Sequence, residues 1–195
     1  MNITPVVKQL LIINVIFFIG SQFAPLAGEL FALYNPQDYN FKLWQPVTHM
    51  FMHGNLMHIA FNMFALYSFG SSLEHFWGGK KFIFFYISCG LGAALLQLGV
   101  NYLELQSVLK GAANLELTNA TLNKILNINF YDGVSYRSDL FIKSLEPILQ
   151  DVGKVNLANQ SNITALYEAA AQNQTRMVGA SGAVYGLLVA FAFMF

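Results

Sequence analysis

Apolar residues run through this chain in long blocks with short polar breaks, and the block lengths set the first expectations. Val6 to Phe23 is mostly apolar, close to the roughly 20 residues that cross a hydrocarbon core. It is expected to be a first span. A cleaved signal peptide ending near Ala24-Pro25-Leu26-Ala27 is the rival reading, which Asn14, Gln22 and the proline fit poorly. Residues 24–48 hold prolines, Asp38 and many aromatics, so an outer loop in the headgroup region is expected there, with Trp44 among its anchors.

A second apolar block, about Met50 to Phe69, carries unusual cargo. If it is one helix, His49 and His53 share a face, and so do His58 and Asn62, each pair being four residues apart. Gly70 and the charged stretch from Glu74 to Lys81 then form a turn, and Phe82 to about Val100 makes a third span. Gly90, Gly92 and Ala93-Ala94 give that span a strip of small residues for close packing. The last block begins near Val178, with Gly182, Gly186 and Ala190 recurring every fourth residue. Lys8, Lys80 and Lys81 put the N-terminus and the 74–81 turn in the cytoplasm by the positive-inside rule.

Between these blocks, residues 101–177 change character, with mixed charges, many Asn and Gln, and short apolar stretches. Leu115 to Leu126 and Ile163 to Ala171 are expected to be amphipathic helices, with Asp132-Gly133 marking a turn. An external, mainly helical insertion is expected. Asn119, Asn162 and Asn173 each begin a glycosylation triplet, which in so Asn-rich a segment is expected by chance.

Composition agrees with the pattern. Hydrophobic residues make up 55% of the chain and charged ones 10%, far from soluble-domain averages and typical of a polytopic membrane protein. The formal net charge of zero gives no sign of nucleic-acid binding, and Cys89, the one cysteine, is expected to be a small packing residue. A zinc helix at His49 and His53 would want glutamate where Met50 stands, so neither a metal nor a cofactor is expected.

Ser181 opens an apolar run between Gly179-Ala180 and Gly182, and intramembrane polar groups such as His53, His58 and Asn62 are costly enough to suggest a site. A serine hydroxyl attacks an amide only with a base to take its proton, and fixed donors must meet the oxyanion that forms. Asn62 and a protonated ring nitrogen of His58 are suitable donors, and the amides and dipole of a helix beginning at Ser181 would add to them. Glycine at 179 and 182 would let substrate backbone approach.

The stretch from Trp44 to Asn62, then Gly70 with Glu74, then Gly179 to Gly186, resembles the rhomboid intramembrane serine proteases. The resemblance implies an all-α polytopic fold, a rhomboid-like helical bundle with four of six core spans and a mainly helical external insertion between spans three and four. Residues 1–100 would hold spans one to three, 101–177 the insertion, and 178–195 the start of the fourth span. It implies Ser181 as nucleophile, His58 and Asn62 as oxyanion donors, His53 lining a wet cavity, and Tyr185 packing on the catalytic histidine. The implied substrates are transmembrane segments of other membrane proteins, and the implied location is the lipid bilayer of a bacterial plasma membrane.

Two departures qualify the match. Gln45 stands where the family has arginine, and no histidine follows His75, whereas the family's base lies on its sixth span. The apolar ending at Phe195 fits a truncated protein, expected to be inactive by itself with its base farther on. The alternative is a rhomboid-like pseudoprotease that binds membrane-protein clients without cutting them.

Overall fold

The computed structural model describes residues 2–24, 26–132 and 134–194. The chain forms two compact units, one of residues 1–33, 42–97 and 176–195, the other of residues 34–41 and 98–175.

In the first unit, α1 (Pro5–Phe23) is a helix over the stretch expected to be the first span. Its Thr4 cap residue supplies no side-chain bond, and the cap is borrowed from far along the chain. Glu74 accepts from the amides of Val6 at 3.0 Å and Val7 at 2.9 Å, and from the Thr4 hydroxyl. A carboxylate on these orphan amides also complements the helix dipole. Short helices α2 (Leu26–Phe31) and α3 (Gln45–Thr48) lie in the following loop.

The second block differs from expectation. His49–Phe51 is a single 3-10 turn, Met52 is extended with φ −90° and ψ 141°, and α4 (Leu56–Ala65) starts only after Asn55 caps it by accepting from the His58 amide at 2.9 Å. His49 and His53 therefore share no helix face, whereas His58 and Asn62 do. A π-helical turn over Leu66–Gly70 leads into α5 (Ser71–Trp77). Gly70 sits where a Cβ would press on Val7 and Phe82, each within 3.2 Å, so the α1 and α6 side chains close over bare backbone. Gly78, at φ +77°, makes the break before α6 (Gly79–Leu109).

The final helix, α10 (Ser181–Met194), begins at the serine itself, three residues later than expected. It packs antiparallel to α6 through the small residues: a Cβ on Gly182 would fall on the Ala93 methyl, and one on Gly186 on Cys89. Cys89 thus serves as the packing residue its size suggested. The core joins Val7, Leu66, Leu73, Phe82, Tyr86, Ala183 and Leu187. Outside it, large apolar side chains such as Phe61, Phe64, Phe84, Leu95 and Leu96 stay exposed, a surface suited to lipid rather than water. By length and apolarity, two helical stretches suffice to cross a membrane, Pro5–Phe23 and Gly79–Leu115; α10 is apolar but has 14 residues.

The second unit closes a core of its own. α9 (Gln160–Asn173) covers the helix expected at Ile163–Ala171, whereas α7 (Asn119–Leu126) starts four residues later than the expected Leu115, because Glu116 turns to φ +48° and Thr118 is extended; α8 (Ser138–Asp151) is an additional helix. Thr118 caps α7, and Asn159 and Asn162 form a reciprocal capping box on α9. Phe130, Phe141 and Tyr167 pack with centroids 5.2 to 5.5 Å apart. Asp132 accepts from the amides of Val134 and Ser135, making the turn expected there; Gly133 lies outside the described residues. The Asp132 and Asp139 carboxyls are held below the usual carboxylate range, Asp132 mainly by those amides and Asp139 by Arg137. Asn162 and Asn173 are buried and hydrogen-bonded, so they are structural asparagines, not glycan acceptors; Asn119 is exposed. Short strands, Leu33–Tyr34 and Arg176–Met177, occur where the chain passes between units.

Hydrogen bonds to a charged group contribute about 1.5–3 kcal/mol each. Glu74→Ala is therefore expected to lower the thermal midpoint in detergent and to speed amide exchange at Val6 and Val7, with Glu74→Gln between it and wild type. Unchanged exchange would show that α1 is anchored elsewhere.

Candidate active site

The two polar clusters that the sequence places more than a hundred residues apart meet at Gly179. This residue has φ +115°, a conformation that side-chain-bearing residues rarely adopt. A Cβ built on it would lie 2.5 Å from His58 Nε2 and 3.7 Å from Asn62 Nδ2. Both side chains therefore lie over the bare α-carbon. From the other direction, the Gly179 amide donates to the His49 carbonyl at 2.9 Å. The loop ahead of α10 is thus pinned by backbone on one side and crowded by donors on the other.

That position sets up Ser181 two residues on. The Ala180 carbonyl accepts from the Val184 amide at 2.9 Å, so the amides of Ser181, Gly182 and Ala183 precede the first intrahelical donor. Ser181 is half-buried, and among the described residues its hydroxyl makes no hydrogen bond. The positive end of the α10 dipole is directed at it.

The donors are suitably prepared. Asn62 is 6% exposed, and its Nδ2 is a buried donor without a partner among the described residues. His58 Nδ1 accepts a long bond, 3.5 Å, from the Gly54 amide. With Nδ1 as acceptor, the neutral ring carries its proton on Nε2, the nitrogen over Gly179. Leaving a buried donor unpaired costs about 1–3 kcal/mol, a cost that makes sense if an anion occupies the spot during reaction.

Other expected site residues play less direct parts. His53 is 4% exposed, neither ring nitrogen has a hydrogen-bond partner among the described residues, and its ring meets His58 edge-on at 5.0 Å. Tyr185 is one helical turn past Ser181 and 69% exposed, on the same face of α10. A Cβ on Gly179 would meet His58 and one on Gly182 would meet Ala93, so each glycine allows a close approach of protein at that position. The space freed by each missing side chain is already filled by protein.

Two supporting residues were undervalued. His49 Nδ1 donates to the Gln45 carbonyl at 3.0 Å, and burial pushes its imidazole below the ordinary range although that bond pulls the other way. Gln45 accepts from the Lys42 amide at 3.1 Å and donates weakly to the Leu30 carbonyl at 3.5 Å. It therefore holds the loop with a neutral side chain where arginine was expected.

Comparison with known proteins bears on the first half of this site. Residues 40–115, including His58, Asn62 and Glu74, match the rhomboid domain. The chain is 36% identical over 64 residues to the rhomboid protease AarA of Providencia stuartii, covering 33% of this chain and 23% of that one. It is 33% identical over 86 residues to the rhomboid protease GlpG of Photorhabdus laumondii, covering 43% and 30%. Rhomboid-like protease 3 of Toxoplasma gondii is 33% identical over 67 residues, covering 34% and 26%. Over these stretches the chain is similar to the rhomboid family. The matched stretches span about a quarter to a third of these curated relatives. The rhomboid match ends before Ser181, so the serine enters the site through geometry alone.

A methyl group at position 179 should be intolerable. Backbone strain at such a φ costs about 1–3 kcal/mol for a non-glycine residue, and the added carbon displaces His58. Gly179→Ala is expected to lower the thermal midpoint, whereas Gly54→Ala, where a Cβ meets nothing within 4 Å, should leave it unchanged. Equal midpoints for both variants would show that the clasp at Gly179 does not exist in solution.

Proposed function

We propose that this chain belongs to an intramembrane serine endopeptidase that cuts transmembrane segments of other membrane proteins, with Ser181 as nucleophile. His58 Nε2–H, Asn62 Nδ2–H and the free amides of α10 are its oxyanion donors. Among the described residues none of the four histidines hydrogen-bonds Ser181, and the general base of the reaction is not assigned to any of them. The observation that supports this most is the convergence of an unpaired buried amide and an imidazole nitrogen on Gly179, beside a serine that starts a helix.

In this mechanism the Ser181 oxygen attacks the scissile carbonyl carbon and its proton passes to the base. The carbonyl electron pair moves onto oxygen, where the donors hold it. Collapse expels the amine, which takes the proton back from the base, and water then releases the acyl group from Ser181. His53 is a positioning residue behind His58, and Tyr185, exposed one turn past Ser181, would pack against the base.

The same proposal assigns four of six family spans to α1, to α4 with α5, to α6 and to α10. The N-terminus and Lys80-Lys81 are cytoplasmic, and the second unit lies outside a bacterial plasma membrane. The antiparallel contact of α6 with α10 supports that order, because it sets Ser181 at the end of the first unit remote from Lys80.

The protein is expected to react with a fluorophosphonate probe as wild type and not as Ser181→Ala. Asn62→Ala and His58→Ala should each slow cleavage of a transmembrane reporter by about 10²–10³-fold, the usual loss for one oxyanion donor. Equal labelling of wild type and Ser181→Ala would remove the serine from its role. An unlabelled full protein that co-purifies with a membrane-protein client would favour a pseudoprotease.

A further inference from the structure

At the end of the first unit remote from Ser181, residues of α5, α6 and α10 line a groove of about 700 Å³, most of them aromatic or aliphatic. That volume falls in the range of clefts that hold small amphiphilic molecules. Trp77 and Phe85 form one wall, edge to face with centroids 5.0 Å apart. Phe84 and Phe193 line it while remaining mostly exposed, at 75% and 89%. Lys80 and Lys81 stand at its mouth, exposed and without an ion pair or hydrogen bond among the described residues. The nearby acid, Glu74, is committed to the amides of α1 and does not neutralise them.

We propose that this groove is a binding site for one anionic phospholipid, its phosphate between Lys80 and Lys81 and an acyl chain along Phe84, Phe85 and Phe193. The chemistry selects that occupant. Two unneutralised ammonium groups at the start of a membrane helix attract anionic headgroups, and their aliphatic stems extend from apolar surface to polar interface. Trp77 supplies the amphipathic ring favoured at that depth. Free phosphate would satisfy the lysines and leave the aromatic groove uncovered. A second copy of the chain would bring two further lysines to the same mouth, like charge against like. The site rests on the membrane character of α6 and is independent of the chemistry at Ser181, so either can fail without the other.

Trp44 and Trp77 are the two tryptophans, so Trp44→Phe isolates the reporter at the groove. This variant is placed in nanodiscs of phosphatidylcholine containing a small fixed fraction of either brominated phosphatidylglycerol or brominated phosphatidylcholine. Quenching of Trp77 is expected to show enrichment of the anionic lipid by about fivefold per lysine. Adding Lys80→Gln with Lys81→Gln should bring the two lipids level, while Lys110→Gln with Lys124→Gln should change nothing. Equal quenching by both lipids, or enrichment that survives loss of Lys80 and Lys81, would overturn the site. Absence of quenching by either lipid would show the groove covered by protein and would overturn it equally.

Discussion

A missing side chain governs this molecule. At Gly179 the backbone turns through φ +115° under the ring of His58 and the amide of Asn62, and no other residue type meets both the torsion and the space. Everything proposed for Ser181 follows from that contact. The amide of Gly179 is spent on His49, its α-carbon lies under the two donors, and two residues on the chain starts a helix whose first amides lack intrahelical acceptors. The serine hydroxyl is set by backbone geometry, not by a hydrogen bond of its own.

Much of this was legible in the chain, for identifiable reasons. His58 and Asn62 four residues apart in an apolar block could only share a helix face, and a glycine-framed serine ahead of an apolar run could only begin one. The small residues allow the close packing their spacing suggested, Gly182 on Ala93 and Gly186 on Cys89, while Gly90 makes room for Met50 and Gly92 meets nothing within 4 Å. What stayed hidden depended on contacts distant in sequence or on local backbone. The extended Met52 breaks the block before Leu56, so His53 leaves the helix face predicted for it and comes to rest edge-on to His58. Asn55, a strong cap just ahead of Leu56, was the available signal for that late start. The π turn at Leu66–Gly70 and the Glu74 cap on α1 had no comparable local mark. Charge alone cannot show that an acid will serve amides some 70 residues away.

The two units illustrate how solvent shapes sequence. In the second unit helix ends are closed by Thr118, Asn159 and Asn162, and the aromatic core is shut away from the surface. In the first, bulky apolar side chains face outward and helices approach through Gly182, Gly186, Cys89 and Ala93, because in lipid close backbone packing replaces hydrophobic burial as the force holding helices together. Polar groups in such a unit are few, and the convergence of several of them in one place is the strongest mark of function that the fold carries.

The most direct measurement is a structure of the complete protein after reaction with a phosphonate inhibitor. The account predicts a covalent adduct on the Ser181 hydroxyl oxygen, with a phosphoryl oxygen about 3 Å from both Asn62 Nδ2 and His58 Nε2. An adduct whose oxygen is turned away from those two nitrogens, or one formed on another residue, would contradict it.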